Sequence, residues 1–187
     1  MNHRNLGIWD IQKKSEFWKI LAERKNGDFK IITTVSKDLN RLELTFEYDK
    51  IIISFSESDT KPLFVECSIR SEMEQAWFEI SKIDFIGKIS GKFSKSKITS
   101  INSEFNNSYL IKGTDSYIIR SIINNKNITD LILKQNLTFI GGEQGKNGKF
   151  NLSLNIHRNI NNIEQLEVIY NLTTMLIDLL KRKRNSC

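Results

Sequence analysis

Between Arg41 and Ile69 most apolar residues fall on every second position, and a period of two commits that stretch to extended chain. Leu42, Leu44, Phe46 and Tyr48 share one side of the first segment, while Arg41, Glu43, Thr45 and Glu47 share the other. The alternation resumes in Ile51, Ile53 and Phe55. After a polar loop through Asp59 and Pro62 it returns in Leu63, Val65, Cys67 and Ile69. Strands patterned this way lay one face on a core and leave the other to water. Asp49-Lys50 allows a tight hairpin, although it lacks the glycine that such turns favour at the second position. No crossover helix fits between these segments, so they pair antiparallel.

Further strands are expected over residues 29–36, 76–83, 98–105 and 108–113, with an irregular strand or ribbon over 82–97. A first helix is expected over about 15–25, with Ser15 as cap, Phe17, Trp18 and Leu21 on one face, and Asn26-Gly27 as its end. Thr114-Asp115-Ser116 offers caps for a helix carrying Ile118, Ile119, Ile122 and Ile123. Asn124 to Asn127 then interrupts the pattern before a second helical piece with Ile128, Leu131 and Ile132. Leu137–Ile140 and Phe150–Ile156 read as arms of a hairpin joined by a glycine-rich turn. A long helix over 162–182 carries Ile163, Leu166, Ile169, Tyr170, Thr173, Leu176, Ile177 and Leu180 as an apolar stripe. Glu164 and Glu167 suit the positive end of its dipole, and Lys181 to Arg184 the negative end. The expected fold class is α+β: an antiparallel meander with an N-terminal helix, a short helical pair and a long C-terminal helix packed on one face. At 187 residues a single domain over 1–187 is expected, with flexible ends at 1–14 and 183–187.

The run Phe105-Asn106-Asn107-Ser108-Tyr109-Leu110-Ile111-Lys112-Gly113, followed by a capped helix, resembles a strand-then-helix pattern of uncharacterised bacterial domains of unknown function. The resemblance covers about the last 85 residues. It implies the architecture of that half and no chemistry.

Composition bounds the function more than it names it. The chain holds 28 Ile, 20 Lys and 19 Asn against 2 Ala and 1 Pro, a skew that the codons of an AT-rich genome would supply. The net charge of +6 is therefore a weaker sign of an anionic partner than it would otherwise be. Cys67, in an alternating strand, and Cys187, the last residue, form no disulfide framework or CxxC pair, as suits a reducing compartment. No stretch reaches the roughly 18 apolar residues of a membrane span, and residues 1–14 lack the apolar core of a signal peptide. A cytoplasmic location is expected. Five Asn-x-Ser/Thr matches are what an Asn-rich chain produces by chance.

The candidate constellations lack parts. Gly141 to Lys149 is rich in glycine, but its spacing is not that of a phosphate loop and it leads into a strand, so a hairpin turn is expected. His3 and His157 have no partner ligands or nucleophile nearby in sequence. Asp28-Phe29-Lys30 supplies the carboxylate-x-lysine half of a metal-dependent nuclease motif without the other acid. Glu57 with Asp59, and Glu72 with Glu74, read as solvated acids on turns. No catalytic, cofactor or metal residue is nominated. The remaining signal is basic: Lys82, Lys88, Lys92, Lys95 and Lys97 interleave with Phe85 and Phe93, as a phosphate-tracking groove or a lysine-protected sheet edge would. Lys181 to Arg184 could add to such a patch.

By elimination the chain reads as a non-enzymatic binding or protein-interaction module of unknown partner. The alternatives are a binder of nucleic acid or anionic membrane through the basic ribbon, in which Lys88, Lys92, Lys95, Lys97 and Phe93 make the contact, and a small apolar-ligand carrier with its cavity under the last helix. A concave face lined by Trp77 or by the lysines would favour binding. Changing Lys88, Lys92, Lys95 and Lys97 together to Gln separates the two roles of the ribbon. The expected outcome is that the wild type does not bind oligonucleotides or anionic vesicles at physiological salt, while the variant self-associates more strongly in sedimentation. Wild-type binding whose log-salt slope flattens in the variant would instead assign the lysines to phosphate contacts.

Overall fold

The period-two segments form strands of one antiparallel sheet. The computed structural model describes residues 8–34, 39–58, 60–70, 76–83, 98–114, 116–145, 148–156 and 160–182. Its elements are α1 (Ile8–Lys25), β1 (Asp28–Thr34), β2 (Leu39–Tyr48), β3 (Ile51–Ser58), β4 (Lys61–Arg70) and β5 (Trp77–Lys82). They continue with α2 (Ser103–Ser108), β6 (Tyr109–Gly113), α3 (Ser116–Ile123), α4 (Lys126–Gln135), β7 (Phe139–Gln144), β8 (Lys149–Ile156) and α5 (Ile163–Arg182). The fold is α+β, with eight strands in the order β1-β2-β3-β4-β8-β7-β5-β6. The first four strands are the expected meander. β5 lies beside β7 rather than β4, because the β7–β8 hairpin inserts between them and β8 matches β4 over eight paired residues.

Cross-strand register gathers the apolar residues into files. One file runs from Phe29 through Leu44, Phe55, Val65, Leu154, Ile140 and Ile80 to Ile111, taking one residue from each strand. All but the partly buried Phe29 are fully buried. A neighbouring file passes through Gly142, where a Cβ would come within 2.4 Å of the Phe150 ring and 2.6 Å of the Phe78 ring. The bare pleat lets those rings stack at 6.0 Å between centroids. Gly141 and Gly142 thus lie inside β7. The hairpin turn is shorter than the sequence reading placed it, and Gly145 N–H donates to Lys149 O across it at 2.7 Å.

The helices cover one face. α1 packs on β1 and β2 at one edge, α2 and α3 pack on β6 at the other, and α5 touches α1, α3 and α4 between them. α1 starts at Ile8, so Ser15 is buried within it rather than capping it. The expected strand over 98–105 is replaced by a loop and α2. Asn102 accepts a hydrogen bond from Phe105 N–H at 3.2 Å, and this local bond starts a helical turn instead of a ladder. α3 and α4 are the expected short pair, the second capped by Asn125 and ended by Asn136 at φ 53°. Asp49 and Lys50 adopt φ of 48° and 63°, a two-residue hairpin made without glycine. Lys181 of α5 donates to the Asp49 carbonyl at 3.2 Å and to its carboxylate, and this bond lowers the Asp49 pKa.

At the head of α5, Asn162 Oδ1 accepts from Gln165 N–H and Gln165 Oε1 accepts from Asn161 N–H, each at 3.0 Å, a reciprocal cap. The helix buries Leu166, Ile169, Leu172, Thr173, Leu176, Ile177 and Leu180. The six apolar side chains among them contribute about 1.5–3 kcal/mol each, against a net stability of about 5–15 kcal/mol for a whole domain. Removing residues 163–184 is expected to abolish the cooperative thermal transition in circular dichroism. A truncated chain that still melted cooperatively would show α5 to be an external arm.

Candidate functional site: the open face of the sheet

With the described helices on one face, the opposite face of the sheet carries the outward members of every alternation. Glu47, Glu66, Ser68, Arg70, Lys112, Glu143 and Asn151 are exposed there, as the polar half of the pattern requires. Apolar residues interrupt it: Ile52 and Trp77 are 54% and 40% exposed, and Phe64, Phe139 and Leu110 are half-buried. Gly141 is bare on this side because the Phe139 ring lies over it, 2.4 Å from where a Cβ would stand.

The centre of this face is set by the register of β4, β8 and β7. Asn155 is directly opposite Phe64 on one neighbour and Phe139 on the other. Its backbone carbonyl accepts from Thr138 N–H at 3.0 Å and from Thr138 Oγ1 at 2.9 Å. Its side-chain Oδ1 is shielded from solvent and has no hydrogen-bond partner among the described residues. Ser68 Oγ donates to Asn151 Oδ1 at 2.8 Å, so the equivalent amide two outward positions away on β8, beyond Ser153, is satisfied. This face therefore holds, between two aromatic rings, an acceptor with no partner among the described residues.

Among the described residues, those nominated from sequence do not converge. Lys88, Lys92, Phe93, Lys95 and Lys97 lie outside the described residues, as do His3, His157, Asp59, Glu72, Glu74 and Cys187. Trp77 sits at the start of β5 on the open face. Lys82 donates to Asn136 Oδ1. Asp28 and Lys30 form an exposed ion pair at 2.5 Å, and the hydrogen bond to Asp28 raises the Lys30 pKa. Glu57 is buried on the helix-bearing side and meets Lys14 of α1 at 2.5 Å, beside a register shift between Ser56 and Ser58. It is a structural ion pair and not a solvated acid. Burial pushes the Cys67 thiol up to about 12, which leaves it an inert core group. Among the described residues, no three or more His, Cys, Asp or Glu side chains are grouped to hold a metal ion, and no helix is long and apolar enough to cross a membrane. The Phe64–Asn155–Phe139 arrangement escaped the sequence reading. Phe64, at an outward position of an otherwise two-coloured strand, was its one local signal.

No protein-family model matches the chain, and no curated protein matches it. Among solved structures it is similar to the crystal structure of the mycobacterial trehalose monomycolate transport factor A, with a TM-score of 0.53 at 9% identity, over 95% of this chain and 96% of that one. At that identity the likeness is one of fold.

A dry acceptor without a donor costs about 1–3 kcal/mol of stability. Asn155→Val, which removes it and suits a strand position between two aromatic neighbours, is expected to raise stability by about 1 kcal/mol in urea denaturation with an unchanged m-value. A loss of stability would show that the amide is satisfied in solution.

Proposed function

We propose that this chain is a non-enzymatic binding module that docks a protein partner on the open face of its sheet, with Phe64, Asn155 and Phe139 at the centre of the contact. The observation that carries the reading is the unpaired Asn155 Oδ1, withheld from solvent between two half-buried rings. Native structures rarely leave such an acceptor unmet, and a donor from a partner that displaces the flanking rings would satisfy it. Aromatic side chains are the anchors enriched where proteins meet, and Trp77 and Ile52 extend those of Phe64 and Phe139 outward.

The description of the fold neighbour as a transport factor for trehalose monomycolate favours a second reading, a carrier of an apolar ligand. Packing beneath α5 supports docking over carriage. Phe46 fills that space, edge-on to Phe55 at 5.4 Å and to Tyr170 at 5.0 Å between centroids. Native mass spectrometry of the purified chain separates the two, since a carrier retains a ligand of defined mass. The nucleic-acid and anionic-membrane alternative stays with the lysine stretch and its salt series.

A photoreactive residue placed at Ser153, in the middle of the open face, is expected to crosslink one discrete protein species in cells. The same residue at Asn171, exposed on α5, should not. Phe64→Ser with Trp77→Ser should weaken binding of that species by about tenfold or more, as loss of interface anchors does. Crosslinking from Asn171 alone would place the interface on the helices and overturn the reading.

A further inference from the structure

β1 is an outermost strand, paired with β2 along one side only. Its seven residues run in unbroken register from Asp28 opposite Thr45 to Thr34 opposite Leu39. Nothing among the described residues pairs with its second side, which leaves a row of backbone N–H and C=O groups open. The usual protections of an edge are weak here. The strand has no proline and no bulge, and Lys30 is drawn into its ion pair with Asp28 at the strand's beginning. Beyond that pair, Ile31 and Ile32 point to opposite faces and are 45% and 42% exposed. The other edge strand, β6, is shorter, with five residues.

We propose that β1 is a self-association edge, through which two copies of the chain pair β1 to β1 in antiparallel fashion about a two-fold axis at Ile31 and join their sheets into one. Self-pairing is favoured over an unrelated strand because β1 is complementary to itself. Ile31 is the midpoint of Asp28–Thr34, so the register centred on it pairs every residue of the strand. It sets Ile31 against Ile31 of the second copy, Lys30 against Ile32, Phe29 against Thr33 and Asp28 against Thr34. No like charges stand directly opposite, and the aliphatic stem of each Lys30 covers an exposed isoleucine. Paired residues must point to the same face, which keeps both helix layers on one side and makes the two open faces continuous. The inference stands apart from the docking reading, since it uses neither Phe64 nor Asn155.

Sedimentation equilibrium of the full chain at high micromolar concentration is expected to give twice the chain mass of 21.8 kDa. Ile31→Lys with Ile32→Lys should reduce it to the single mass with an unchanged circular dichroism spectrum. A nitroxide on Ile31→Cys, with Cys187 changed to Ser, should show dipolar broadening that disappears on mixing with excess unlabelled protein. A label on Lys112→Cys of β6 should show none. The spin-label result decides the matter if the double lysine variant fails to fold. A wild type that remains a monomer, a dimer that survives the double substitution in folded form, or a dimer without broadening at position 31 would each overturn the proposal.

Discussion

The file of side chains from Phe29 to Ile111 crosses all eight strands, and the rest of the molecule takes its position from it. Side chains alternate along a strand, so a slip of one residue in any of the seven pairings would turn that strand's apolar set away from the helices. The file therefore fixes register across the whole sheet. It gives α5 a continuous apolar floor to lie on. It fixes the opposite face as well: with Leu154 held between Val65 and Ile140, the next residue of β8 has to project outward between Phe64 and Phe139.

Against this background the side chain of Asn155 is an exception. Several other polar groups drawn into the interior find a backbone carbonyl. Thr173 Oγ1 donates to Ile169 O at 2.8 Å, and Thr129 Oγ1 reaches Lys126 O at 3.1 Å. The Tyr109 hydroxyl donates to Leu137 O at 2.9 Å, and burial pushes that phenol up to about 12. Groups met in this way give weight to the Asn155 amide oxygen, since local consistency tends to fail where a chain is shaped for use.

Strand content, the β2–β3 turn and the α5 stripe were legible because each rests on residues close in sequence. Alternation marks β2 to β4 without reference to anything distant, and a period of 3.6 marks α5, although Leu172 was missed beside its stripe. Pairings between distant strands were not legible. Nothing near β5 reveals that β7 and not β4 is its neighbour, and nothing beside Gly142 reveals the rings of Phe78 and Phe150 that pack where its Cβ would stand. The candidate site belongs to this second class. Phe64 stands 91 positions before Asn155 and Phe139 stands 16 before it, so only the assembled register brings the three together.

The bond from Lys181 to the Asp49–Lys50 hairpin spans 132 residues, and this separation has a meaning for the chain as it leaves the ribosome. At about 5–20 residues per second, roughly 7–26 s pass between emergence of the hairpin and synthesis of its latch. Over that interval β2, β3 and β4 can form their meander, but Leu44, Phe46, Phe55 and Val65 have no α5 to cover them. The nascent protein thus keeps part of an apolar sheet uncovered, beyond what α1 shields over β1 and β2, until α5 is made. Its yield in a cell would then depend on how well chaperones shelter the unfinished chain, more than on the stability of the finished one.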